Sequence, residues 1–259
     1  MTRIVVFDSG FGSLSIINAI RKITRTELIY FADQKRFPYG KKSKLELRKI
    51  ILSTIEGLRQ NFSPDLIVVG SNTPSIILGN LFESDDALIG VYPPLAVAEK
   101  KTKTNSIAIL STTAALKSKA LDNYIKKNTH KRITITKIDA TELINLVESG
   151  RFLSNESCCE NKINSHLKKT LAKKNIDVVT LSSTHLPFLL PLLSRNFPNV
   201  QFLDPAMSIA KQIIKHKKFH RSRRNTIKIF CSGSPTKFQK QLKKLKIKNK
   251  IKYLEFTEN

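Results

Sequence analysis

The sequence predicts an α/β protein of two similar α/β lobes, with mostly parallel sheets and a cleft between the lobes. Three observations predict it. Short β-branched runs alternate with longer amphipathic stretches along the chain, the rhythm of strands joined by crossover helices. Some strand candidates, such as "LIVV", are apolar at every position, which suits a sheet covered on both faces. Two stretches, "IVVGSNTPS" and "VVTLSSTHLP", match in apolar run, serine and polar pair, and read as an internal duplication.

The elements follow in chain order. Strand candidates are Arg3–Phe7, Glu27–Phe31, Leu66–Gly70, Ala87–Val91, Ser106–Leu110, Ile133–Ile138, Asp177–Leu181, Val200–Leu203 and Thr226–Phe230. Each is a short run dominated by residues that fit a pleated, covered surface. Between them, stretches such as Lys44–Gln60 and Ser157–Lys174 mix apolar and charged residues at helical length. This order assigns residues 1–98 and 208–259 to a first lobe and 99–207 to a second.

Composition bounds what the chain can be. With 259 residues, 41% of them hydrophobic, it can bury one large core or two modest ones. No apolar run approaches the ~20 residues of a membrane helix. "MTRIVVFDSG" enters a strand-like run without a signal-peptide pattern. The expected location is the cytoplasm, away from membranes. Of three cysteines, Cys158 and Cys159 are adjacent on or near a helix and Cys231 stands alone. Their spacing fits no metal site and their odd number argues against a disulfide framework.

The formal charge of +25 favours anionic partners. Basic residues thicken in "KHKKFHRSRR" (Lys215–Arg224) and "KKLKIKNKIK" (Lys243–Lys252). Neither run has the aromatic interleaving of a stacking platform. Solvated surface is the plainer reading, and weak electrostatic nucleic-acid binding stays open beside it.

In parallel sheets, ligands bind beyond the carboxyl ends of the strands. The turns there read "FDSGFGS" (Phe7–Ser13), "GSNTPS" (Gly70–Ser75), "LSTTAA" (Leu110–Ala115) and "LSSTHLP" (Leu181–Pro187). Ser, Thr, Asn and Asp are also preferred helix N-caps, so any one turn could be only a cap. Four such turns, with an Asp, an Asn and a His among them, point to a ligand site.

Taken in sequence, the motifs resemble those of the glutamate racemases over nearly the whole chain. "VVFDSGFGSLS" is similar to that family's opening strand and loop, and "LIYFADQKRFPYGKKS" (Leu28–Ser43) to a signature of it. "VVGSNTPS", "IGVYPP", "AILSTTAALKS", "VESG", "LSSTHLPFL" and "FLDPA" follow in the family's order. The resemblance implies two α/β lobes around glutamate and racemisation without cofactor. One cysteine removes the α-proton from one face and a second supplies a proton from the other.

Carried over by motif, the resemblance implies that Asp8, Ser9, Asn72, Thr73 and Thr184 contact the amino-acid head of the substrate. Tyr39 and Gly40 would line the pocket for its side-chain carboxylate. Asp8 would sit near the first catalytic position, and His185 and Glu148 would support the second. Neither a metal nor a cofactor is implied, and a homodimer stays open.

Both catalytic positions depart from the family pattern. Ser71 stands where the first cysteine is usual and Ser183 where the second is. Neighbours differ too: Gly70 for the usual alanine, Ser182 for glycine, Leu186 for tyrosine and Ala115 for a substrate-contacting threonine. The chain's own cysteines lie in none of these motifs. A thiol titrates near ~8.5, whereas a hydroxyl resembles water at roughly 15.7. That gap of about 7 units, at ~1.36 kcal/mol each, sets an upper bound of about 10 kcal/mol on the cost of preparing the anion. An adjacent base lowers this cost by sharing the proton.

Three readings follow. The chain racemises glutamate slowly through Ser71 with Asp8 and Ser183 with His185, supplying D-glutamate for peptidoglycan. Or it is a pseudoenzyme that binds glutamate, with a regulatory or nucleic-acid-related role. Or the serines were introduced to trap substrate, which the altered neighbours make less attractive. Rivals from other classes fit poorly. A haloacid-dehalogenase-type phosphatase needs a second Asp where Gly10 stands, and "SGFGS" is too short for a dinucleotide fingerprint.

Overall fold

The computed structural model describes residues 2–256. Their strands are β1 (Arg3–Asp8), β2 (Glu27–Ala32), β3 (Leu66–Val69), β4 (Leu88–Gly90), β5 (Ser106–Ser111), β6 (Thr134–Asp139), β7 (Val178–Leu181), β8 (Gln201–Leu203), β9 (Thr226–Cys231) and β10 (Ile251–Tyr253). All nine expected strands are present, with ends shifted by a residue or so. The tenth, β10, begins in the last two residues of the lysine run "KKLKIKNKIK", where alternating charge hid it.

The chain divides into two compact units, Met1–Val91 with Ala206–Asn259, and Tyr92–Pro205. The helix Leu95–Lys101 falls whole in the second unit and packs on β7, so the division runs ahead of it rather than through it at residue 98.

The first unit holds a six-stranded sheet in the order β10-β9-β2-β1-β3-β4, and its strands pair in parallel. β1 is buried from Ile4 to Asp8, and β2 and β3 along their whole length. Such strands need helices on both faces. The helix Leu14–Ile23 turns Leu14, Ile16, Ile17, Ala19 and Ile20 inward and packs on Ala206–Lys215. The helix Lys44–Phe62 opens with Ser43 accepting a hydrogen bond from the Glu46 amide, a Ser-x-x-Glu start. It buries Leu47, Ile50, Ile51, Ile55 and Leu58 in a core shared with Val5, Phe31 and Tyr39.

The second unit holds a four-stranded sheet in the order β6-β5-β7-β8, its strands again paired in parallel. β5 and β7 are buried throughout. The helix Glu156–Lys173, capped by Asn155, carries both adjacent cysteines. Among the described residues no helix is long and apolar enough to cross a membrane.

Strand order fixes where each sheet changes direction. In the first unit the chain runs from β1 out to β2, then returns to add β3 on the other side of β1. In the second it runs from β5 to β6, then adds β7 on the other side of β5. Crevices open at such reversals, at the carboxyl ends of the strands. The turns that follow β1, β3, β5 and β7 begin at Ser9, Gly70, Thr112 and Ser182.

Candidate active site

In the first unit, the residues expected at the site gather at the β1–β3 reversal. β1 and β3 are in register, with Phe7 opposite Val69, and the Gly70 amide bonds the Phe7 carbonyl at 2.7 Å. The Asp8–Ser9 and Ser71–Asn72–Thr73 turns are therefore side by side. Asp8 is buried, and its Oδ1 accepts the Ser9 amide hydrogen at 2.7 Å. Ser71 precedes the helix Asn72–Ile77 but makes no capping bond through its side chain. Its hydroxyl has no hydrogen-bond partner among the described residues, so the cap reading fails at this serine.

Asn72 carries the sharpest signal. It is only 2% exposed, yet neither Oδ1 nor Nδ2 has a hydrogen-bond partner among the described residues. Leaving a buried amide unsatisfied costs about 1–3 kcal/mol per group, so native structures nearly always satisfy it with protein, water, an ion or a ligand. An amide that offers both a donor and an acceptor suits a ligand carrying a carboxylate or an ammonium group.

Tyr39 and Gly40 follow β2, the other neighbour of β1. The Asp33 amide bonds the Asp8 carbonyl at 2.7 Å, tying this loop to the same strand end. Tyr39 is buried and donates its hydroxyl to Asp33 Oδ2 at 3.0 Å. Burial, then the nearby Asp33 and Asp8 carboxylates, push that hydroxyl's pKa well above its ordinary value. Its proton is thus engaged by the protein, a constraint the sequence did not show.

In the second unit, Ser183, Thr184 and His185 follow β7 and are all buried. β5 lies alongside, with the Ser182 amide bonding the Leu110 carbonyl at 2.8 Å and Ser111 Oγ bonding the Ser182 carbonyl at 2.9 Å. His185 Nε2 sits 2.7 Å from Glu148 Oε2, which the end of the helix Thr141–Glu148 delivers. A carboxylate on one ring nitrogen orients the imidazole and fixes which nitrogen is left to face elsewhere. Ser183 Oγ accepts the His185 amide hydrogen at 3.5 Å, the outer limit of a bond. Both serines therefore retain hydroxyls with little prior engagement.

The neighbouring departures have physical counterparts. A Cβ on Gly70 would lie 2.4 Å from Ser13 Cβ, so glycine is required while Ser13 fills that space. Ser182 hides its hydroxyl against Thr180 Oγ1 at 3.1 Å. The cysteines are remote in role. Cys159 and Cys231 are buried, and burial raises both thiols, Cys231 to about 11. Neither is a ready thiolate.

No family model matches the chain. A curated glutamate racemase from Neisseria meningitidis serogroup C is 30% identical over 216 residues, covering 80% of this chain and 77% of the relative. The chain belongs to the glutamate racemase family. Solved structures of glutamate racemases have the same fold. RacE1 from Bacillus anthracis superposes with a TM-score of 0.86 at 24% identity, over 98% of this chain and 97% of that one. The Escherichia coli racemase, in complex with L-glutamate and the activator UDP-MurNAc-ala, gives 0.84 at 23% identity over 99% of each. Within this family, the serines at 71 and 183 lie on equivalent switch-point turns of two unlike sheets. Asp33, Arg36 and Ser13 belong to the same surroundings, and sequence reading did not single them out. The Asp33-x-x-Arg36 spacing, two opposite charges just before "PYG", was the available signal.

Proposed function

We propose that the protein interconverts L- and D-glutamate by two-base proton transfer without a cofactor, at a rate limited by hydroxyls in place of thiols. The orphaned Asn72 amide carries this reading, because a buried unsatisfied amide beside Ser71 is expensive unless a ligand satisfies it. Asp8, Ser9, Asn72, Thr73 and Thr184 take the α-amino and α-carboxylate groups. Tyr39 and Gly40 take the distal carboxylate. Since the Tyr39 hydroxyl already donates to Asp33, that recognition falls to the backbone and ring rather than to a phenol proton.

Ser71 and Ser183 each relay a proton at Cα, one on each face. At Ser183 the base is His185, held by Glu148. At Ser71 it is Asp8. Imidazole and carboxylate are bases of different kind, with different reference pKa values. The two half-reactions are therefore unequal. The Escherichia coli relative with L-glutamate bound supports the substrate class.

The test is calorimetry with each enantiomer followed by a circular-dichroism racemisation assay. Binding with slow turnover is the expected result. Absence of binding to either enantiomer at millimolar concentration overturns the substrate assignment. Binding with no turnover supports the second reading, a glutamate-binding pseudoenzyme, which the unpartnered Ser71 hydroxyl favours.

A further inference from the structure

The loop that carries Tyr39 and Gly40 is held from the far end of the chain. Three consecutive side chains in it, Gln34, Lys35 and Arg36, all reach residues beyond β9. Gln34 packs on Gly233 so closely that a Cβ there would lie 2.5 Å from its Oε1. Lys35 Nζ bonds Glu255 Oε2 at 2.6 Å and the Tyr253 hydroxyl at 3.1 Å. Arg36 Nη2 bonds the Phe256 carbonyl at 2.6 Å.

The same loop has a buried ionic centre. Asp33 is 0% exposed. Its carboxylate accepts from Tyr39 at 3.0 Å, Ser232 Oγ at 3.0 Å and Arg36 Nη1 at 3.2 Å. A buried carboxylate must be fully partnered to be tolerated, so these donors fix one another's positions. Arg36 thereby links Phe256 to Asp33, and Asp33 links on to Tyr39.

Leu254 to Phe256 follow β10 with no regular structure, yet the Phe256 ring is buried. It meets Phe31 edge-on at 5.1 Å between centroids. It also seats where Gly57 has no side chain; a Cβ there would lie 2.3 Å from the ring. A coil segment that buries a phenylalanine in a fitted notch and grips one loop is anchored, not frayed.

We propose that Tyr253–Phe256 is a strap that sets the Asp33–Gly40 loop, with Arg36 and Asp33 as positioning residues for glutamate recognition by Tyr39 and Gly40. The proposal rests on the assignment of that loop to the distal carboxylate. It implies that affinity for glutamate is set partly by residues that never touch it.

The test compares the full chain with Arg36→Gln, Arg36→Lys, Phe256→Ala and, as a control, Asp86→Asn, which breaks a surface pairing with Lys217. Amide hydrogen exchange reads the loop, and calorimetry reads glutamate. Arg36→Gln and Phe256→Ala are expected to speed exchange across residues 34–41 while β1 and β3 stay protected. They are also expected to weaken glutamate binding about tenfold, since small misplacements of a binding group are costly. Arg36→Lys, which keeps the charge but not the two-way fork, falls between, and Asp86→Asn changes neither readout. Unchanged loop exchange in Arg36→Gln overturns the strap, even if Phe256→Ala fails to fold. Faster exchange with unchanged affinity overturns its role in recognition. If the unaltered protein binds no glutamate, the functional assignment fails, while exchange still decides the strap.

Discussion

The two switch-point turns present the same residue type in different company. In the first unit, Ser71 is half-buried, its hydroxyl unpartnered, beside a buried Asp8 and an unsatisfied Asn72. In the second, Ser183 is buried one residue from Thr184 and two from His185, whose ring is held at 2.7 Å by Glu148. The first turn sets its serine beside a buried carboxylate and an unsatisfied amide, the second beside a carboxylate-held imidazole. The lesson is that equivalent places in duplicated folds do not make equivalent catalysts. What a hydroxyl can do is decided by the base beside it.

The largest effect should come from making the two turns alike again with sulfur. Ser71→Cys with Ser183→Cys is expected to raise racemisation by at least ~10³-fold, since a thiolate removes much of the barrier to preparing the base. Each single change should give far less, because each face needs its own acid–base group. Circular dichroism measures both, and gains that simply add in log rate count against two separate faces.

Next in size is the loss of the second turn's base. His185→Asn, or Glu148→Gln, should cut Cα exchange on one face by about 10²–10⁴-fold, the usual contribution of a general base. The other face should be nearly untouched. Equal losses for both enantiomers would mean that His185 serves the fold or the shared ligand.

A packing change in the first turn should cost stability. Gly70→Ala drives a methyl into Ser13, and overpacking of this kind costs about 1–3 kcal/mol in chemical denaturation. Ser13→Gly should rescue it, because the clash is with that side chain. Failure of the rescue would place the conflict in the backbone, where the Phe7 carbonyl is next nearest at 3.1 Å.

Much of the fold was legible because buried parallel strands write themselves as apolar runs. "RIVVF", "LIVV" and "SIAIL" leave no other economical reading. β10 was hidden because an edge strand with Lys250 and Lys252 around Ile251 reads as charge, not periodicity. The serine pair was legible through the repeated turn. Its supports were not, because Ser232 and Phe256 meet Asp33 and Arg36 only after some 200 residues of intervening chain, as the separation of 199 between Asp33 and Ser232 shows. Ser13 and Gly70 likewise carry no sequence mark of their contact.

Smaller effects separate binding from folding. Asn72→Leu should abolish glutamate binding while leaving stability unchanged or raised by about 1 kcal/mol, since it removes an unsatisfied buried amide. A large loss of stability would show that the amide is satisfied in the free protein. At the opposite end of the second sheet, Asp177 ties the start of β7 to the segment Thr102–Thr104. Burial raises its pKa, but donors from Thr102, Lys103 and Thr104 outweigh that and hold it below the ordinary carboxylate value. A depressed carboxylate stabilises the fold above its unfolded pKa, and that contribution is lost as pH falls through the folded value. Asp177→Asn should therefore flatten the acid limb of a stability–pH curve by about 1 kcal/mol without altering glutamate affinity.

The most direct measurement is Cα hydrogen exchange of L- and D-glutamate in heavy water, each followed separately by NMR. Unequal exchange is predicted: one enantiomer exchanges at least tenfold faster, and His185→Asn abolishes that advantage. Equal rates for the two enantiomers, or an advantage that survives His185→Asn, would contradict the inequality of the two turns.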